Sequence, residues 1–105
     1  MTTKTNPRTE DQELDLLMNA YTVYTKPDCP QCDRTKEYFD SKGITYTVVD
    51  ITEVPAALVY ITEELGYSQA PVVVNNSDDQ DHWSGARMDK LVQAARNQTT
   101  LNPNN

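Results

Sequence analysis

The chain has 105 residues, 37% hydrophobic and 24% charged, with nine Lys and Arg against sixteen Asp and Glu and a net charge of −7. That size suits a single domain without a large pocket, and without clustered Lys or Arg to meet phosphates the acidity sets nucleic-acid binding aside. No apolar run reaches the roughly 20 residues of a membrane span or the shorter core of a signal peptide, so a soluble, cytoplasmic protein with no membrane partner is expected; a monomer is expected as well.

Residues 1–8 (MTTKTNPR) and 97–105 (NQTTLNPNN) are polar and aperiodic and read as tails. The layout expected is an N-terminal extension over 1–19, a folded domain over 20–97 and a disordered tail over 98–105. In the extension Thr9 and Gln12 form a capping-box pattern and Leu14, Leu17 and Met18 share a helical face, which predicts a short helix over 9–19. Tyr21–Thr25 alternates and is rich in aromatic and β-branched types, a strand. Helix formers run from Pro30 to Lys42, with Tyr38 and Phe39 beside the Thr35 turn and Gly43 placed to end the helix. Residues 44–50 (ITYTVVD) form a second strand.

Thr52 is placed to cap a helix with Pro55 in its first turn and Ala57, Leu58, Ile61 and Leu65 on one face, stopped by Gly66. The apolar run in 70–76 (APVVVNN), a turn through NNSDDQ and the segment DHWS read as a β-hairpin. Met88, Leu91, Val92 and Ala95 then repeat at helical spacing. The order β-α-β-α-β-β-α specifies an α/β domain with a mixed four-stranded sheet behind the short helical extension.

Both cysteines of the chain, Cys29 and Cys32, sit where the first strand turns into the first helix. Pro30 takes the first helical position, where its missing N–H costs nothing. Free amides and the helix dipole at that end stabilise a thiolate, lowering a cysteine pKa from about 8.5 by one to several units, and the thiolate is the nucleophile. Cys32 returns to the same face one turn on, at a spacing that permits a reversible disulfide. Lys26 and Arg34 favour the thiolate and Asp28 and Asp33 oppose it. A zinc site needs four ligands, whereas here there are two Cys and one His, His82, about fifty residues away on a strand and read as exposed. Pro71 follows Ala70 at the start of the third strand, where a missing ladder donor is tolerated.

The segments YTKPDCPQC, QAPVVV and HWSGAR, in this order and spacing, resemble the NrdH-redoxins, glutaredoxin-like proteins of the thioredoxin superfamily, from about Tyr21 to Arg96. The resemblance implies a thioredoxin/glutaredoxin-like fold with Pro71 cis and facing the dithiol. It also implies Cys29 as nucleophile, Cys32 as resolving thiol, and supporting places for Lys26, Pro30, Gln31 and Ala70. No bound cofactor is implied beyond the redox-active Cys29–Cys32 disulfide. Electrons would come from NADPH through thioredoxin reductase and pass to the large subunit of class Ib ribonucleotide reductase. Trp83, Ser84, Gly85 and Arg87 match the family segment that ties the last strand to the last helix and meets partners, and Trp83 also reads as a buried core aromatic.

Glutathione-using glutaredoxins resemble CPYC followed later by Gly-Gly-x-Asp. Gln31 stands in place of that Tyr, and Arg87 stands near the place of the carboxylate, where glutathione's ammonium would meet a cation. Lys26 is retained, however, and Asp89 lies two residues on, so a glutathione-coupled glutaredoxin is the alternative. A non-catalytic iron–sulfur or soft-metal carrier, bridging Cys29 to a second subunit, has no use for Cys32. Ala86 and Met88 depart from the aromatic and proline usual beside that Arg, which alters the docking surface, and the N-terminal extension is longer than the family's.

Overall fold

A computed structural model describes residues 19–101. Residues 9–18 of the expected N-terminal helix lie outside the described residues. The elements are β1 (Tyr21–Thr25), α1 (Pro30–Ser41), β2 (Tyr46–Asp50), α2 (Pro55–Val59) continuing into a π-helical turn (Tyr60–Glu64), β3 (Val72–Asn75), β4 (Asp78–Ser84) and α3 (Met88–Leu101). The sheet is four-stranded in the order β2-β1-β3-β4. β1 runs parallel to β2, with Val23 opposite Val48, and antiparallel to β3, with Val23 opposite Val73. β3 and β4 close the hairpin, with Val73 opposite Trp83. This is the mixed α/β sheet that the element order specifies.

All of β1 is buried, because it lies between two strands and both sheet faces are covered. Alternation divides the core. Tyr21, Val23 and Val73 join Phe39, Trp83, Leu91 and Ala94 on one face. Tyr24, Val72 and Val74 join Val49, Ala57, Tyr60 and Ile61 on the other. The unbroken Val72–Val74 run is therefore a strand buried on both sides, and each fully buried side chain of this size contributes about 1.5–3 kcal/mol. Tyr21 stacks on Phe39 at 5.2 Å between ring centroids and meets Trp83 edge-on at 6.0 Å. Burial, with the nearby Asp81 charge, pushes the Tyr21 phenol up to about 12.

α1 ends as its sequence directs. Gly43 adopts φ +70, its N–H donates to the Asp40 carbonyl at 3.2 Å and that of Ile44 to Phe39 at 3.0 Å, the paired bonds of a glycine-terminated helix.

Three expectations change. Thr52 does not cap α2: its N–H and hydroxyl both donate to Asp50 Oδ1, at 2.8 and 2.6 Å. An aspartate ending a strand thus captures the residue two on, and the helix begins at Pro55 without a side-chain cap. The helix also does not keep one register to Gly66. Thr62 Oγ1 donates to the Leu58 carbonyl at 2.8 Å, and the Leu65 N–H reaches back five residues to Tyr60 at 3.1 Å. That widened turn brings Tyr60 inward beside Ala57 and Ile61 and leaves Leu58 44% exposed.

The third change concerns the last helix, which continues through Leu101, past the start of the expected tail. Asn97–Thr100 contain neither Gly nor Pro, and the first breaker is Pro103, which disfavours helix at the residue before it. The buried face of this helix runs through Leu91 and Ala94, with Met88 and Val92 outside. Small Ala94 lets it lie against Tyr21 and Trp83.

Candidate functional site: a dithiol held between two loops

β1 delivers the chain to Lys26, and the turn that follows puts Asp28 at φ 56, a left-handed conformation that aspartate tolerates better than most side chains. Cys29 is the N-cap of α1, with extended backbone (φ −123, ψ 97) and Pro30 next in the first turn. The Cys32 N–H donates to Cys29 Sγ at 3.1 Å, so a backbone amide of the first turn points at the sulfur as the spacing requires. Cys29 and Cys32 form a disulfide across 5.2 Å between Cα atoms. Both cysteines are buried, Cys32 at 0% and Cys29 at 7% exposed, and of the two it is Cys29 that lines the cleft beside them.

Opposite it lies the Ala70–Pro71 peptide, which is cis. The Ala70 carbonyl oxygen sits 3.8 Å from Cys29 Sγ, and Ala70 packs with both cysteines against Ile51. A cleft of about 340 Å³ opens between the two loops, lined by Lys26, Asp28, Cys29, Gln31, Ser68 and Gln69. Lys26 and Asp28 give its rim one charge of each sign.

The end of β4 and the two residues after it hold both walls of this cleft in place. Ser84 Oγ donates to the Gln69 carbonyl at 3.0 Å, the Gly85 N–H donates to the Pro71 carbonyl at 2.8 Å, and the Ala86 N–H donates to Gln31 Oε1 at 3.0 Å. Three consecutive residues thus strap the proline loop and the dithiol turn together. Gly85 does this at φ +89, with a would-be Cβ 3.3 Å from Gln31 Oε1, which is why glycine occupies the position. Trp83, just before the strap, is buried in the Tyr21 cluster with Lys90 over its ring.

Arg87 makes an exposed ion pair within its own segment. Its Nε and Nη2 donate to the two Asp89 carboxylate oxygens at 3.1 and 2.9 Å. This fork raises the arginine pKa and lowers that of Asp89. The cation set to repel an ammonium is paired within the chain.

His82 is half-buried rather than exposed: its Nδ1 lies 2.8 Å from Tyr67 Oη, which also donates to the His82 carbonyl at 3.2 Å. Among the described residues no group of three or more His, Cys, Asp and Glu is placed to hold a metal ion, and no helix is long and apolar enough to cross a membrane. Sequence reasoning did not assign Ile51, Ser68 or Gln69 to the site. Only the proline loop's return to the dithiol brings them there.

Comparison with known proteins agrees with this geometry. The family model Glutaredoxin matches residues 21–79. The chain is 38% identical over 60 residues to the Gene 56 protein of Mycobacterium phage D29, covering 57% of this chain and 67% of that protein. It is 33% identical over 70 residues to the glutaredoxin-like protein NrdH of Escherichia coli K12, covering 67% of this chain and 82% of that protein. The solved structure of the NrdH-redoxin from Escherichia coli superposes with a TM-score of 0.61 at 32% identity, over 70% of this chain and 91% of that one. The chain belongs to the glutaredoxin family, beside its NrdH members, and is a thiol–disulfide oxidoreductase that reduces protein disulfides with Cys29 and Cys32 as its redox pair.

Proposed function

We propose that the protein is an electron donor of the NrdH kind, recharged by thioredoxin reductase with electrons from NADPH and delivering them to the large subunit of class Ib ribonucleotide reductase. In this reading it works as a cytoplasmic monomer with no bound cofactor, and its redox-active group is the Cys29–Cys32 disulfide. Reduced Cys29 attacks the target disulfide, one target sulfur leaves, and a mixed disulfide forms. Cys32 then attacks Cys29 Sγ, the reduced target departs, and the intramolecular disulfide is restored. The place of Cys29 in the cleft lining and the full enclosure of Cys32 support this division of roles. The cleft presents Cys29 between Lys26 and the Ala70–Pro71 loop, with Pro30 starting the helix whose first-turn amide reaches its sulfur.

The observation that carries the choice of electron source is the bond from the Ala86 N–H to Gln31 Oε1. A backbone amide facing the dithiol turn could receive a small thiol's carboxylate, and here a side chain of that turn takes it. Pairing of Arg87 with Asp89 weakens the charge argument against glutathione, so the choice rests chiefly on Gln31. The E. coli relative's structure is described as having a thioredoxin-like activity profile, which supports the same choice.

The test is a disulfide-reduction assay in two arms, NADPH with thioredoxin reductase and NADPH with glutathione and glutathione reductase. Turnover is expected in the first arm, and turnover confined to the second contradicts the proposal.

A further inference from the structure

Thr35 follows Cys32 by one turn on the buried side of α1, and both side chains are 0% exposed. The Thr35 hydroxyl finds no hydrogen-bond partner among the described residues. Helical threonines ordinarily return this hydroxyl to a carbonyl three or four residues back. Enclosing it unpaired costs free energy that a valine of the same shape would avoid, and such an atom calls for an explanation. Among the described residues the other buried side-chain polar atom without a partner, Trp83 Nε1, belongs to the edge strand β4.

The position of Thr35 suggests what its hydroxyl is for. Helical side chains lean toward the N-terminus, so that of Thr35 overlies the turn holding Cys32, with Cβ atoms about 5–6 Å apart. In the disulfide Cys32 Sγ bears neither proton nor charge. When an incoming thiolate forms its bond to Cys29 Sγ, the Cys29–Cys32 bond breaks and its electron pair passes to Cys32 Sγ, which becomes a thiolate in a place closed to water. The amide of Cys32 is already engaged with Cys29 Sγ. The Thr35 hydroxyl, one turn on along the same helix face, is a donor that nothing else engages among the described residues.

We infer that Thr35 is a positioning residue for the exchange: its hydroxyl, idle in the disulfide form, turns about χ1 and donates to Cys32 Sγ once the bond opens. Its proton stays on oxygen, and no further reactant is needed. Threonine populates two χ1 wells in helices, so the turn is accessible. The effect stabilises the leaving thiolate and therefore the reduced state. It rests on exchange through the Cys29–Cys32 pair and is independent of which reductase recharges it.

The test equilibrates the full chain with a dithiothreitol redox buffer, without any reductase, and reads the reduced fraction by thiol alkylation and mass. Thr35→Val is expected to shift the equilibrium about tenfold toward the disulfide, about 30 mV more negative for this two-electron couple, and to raise the Cys32 thiol pKa. The denaturant midpoint of its oxidised form stays equal to or above the parent's. Thr35→Ser, which keeps the hydroxyl, stays with the parent. Should Thr35→Val fail to fold, Thr35→Ala against Thr35→Ser makes the same comparison. Equal potentials with and without the hydroxyl overturn the inference, as does an equal shift in Thr35→Ser.

Discussion

The turn from Lys26 to Cys32 makes its geometry from within: Cys29 caps the helix that Pro30 opens, and the amide that reaches its sulfur belongs to Cys32. The strap from Ser84 to Ala86 acts wholly at a distance, its side-chain bonds reaching partners 15 and 55 residues away in sequence. One region carries the chemistry and the other sets the surface that presents it. A strand, a turn and a proline-started helix suffice for a reactive thiol, whereas a cleft of fixed width needs the strap.

Substitutions that separate these roles test the contrast, and the largest effect belongs to the first region. Cys29→Ser takes reductase-coupled turnover to the uncatalysed rate, because no other sulfur stands at the surface of the cleft. Gly85→Ala comes next. A side chain at φ +89 costs about 1–2 kcal/mol, read as a lower urea midpoint, and turnover falls about tenfold as the cleft walls part. The alkylation rate of reduced Cys29 stays near the parent's, since the local turn is untouched; a matching fall in that rate erases the distinction between the two regions.

Gln31→Ala removes one exposed bond and lowers stability by about 0.5–1.5 kcal/mol, yet frees the Ala86 amide. Reduction of the disulfide by glutathione then accelerates more than reduction by 2-mercaptoethanol, which has no carboxylate. Equal acceleration by both thiols means that Gln31 limits access and nothing more.

The smallest effect tests the shared footing of the two regions, Tyr21, which touches Phe39 of α1 and Trp83 of β4. Its phenol lies raised to about 12, as does that of Tyr46, which is partly enclosed and donates to Asp40. A folded pKa above the unfolded value of about 10 gives stability that is complete below pH 10 and is lost as pH rises toward 12. Urea midpoints should fall across that window, and less steeply in Tyr21→Phe, with Tyr46 and Tyr67, whose phenol burial also raises, supplying the remainder.

Local chemistry was the legible part of this sequence. Pro30 after Cys29, Gly43 after a run of helix formers and the Val72–Val74 run each act through neighbours within a turn or strand, so the element order and the sheet class followed from them. The assignment of Cys29 and Cys32 to one helical turn followed in the same way. Competition between local bonds was harder to read: Asp50 takes Thr52 away from the helix cap, and Thr62 takes the Leu58 carbonyl and widens the next turn. Contacts across the fold left little mark. Nothing in HWSGAR announces that Ala86 meets Gln31. The glycine of that segment was the one available sign, because a left-handed residue fixed between a strand and a helix marks a loop held in shape.

The central claim is that Cys29 makes the intermolecular bond and Cys32 resolves it. Its most direct measurement is mass spectrometry of mixed disulfides trapped on each single-cysteine variant after mixing with an oxidised protein substrate. Cys32→Ser should accumulate a stable adduct at Cys29 and Cys29→Ser almost none, whereas an equal or larger adduct at Cys32 would contradict the account.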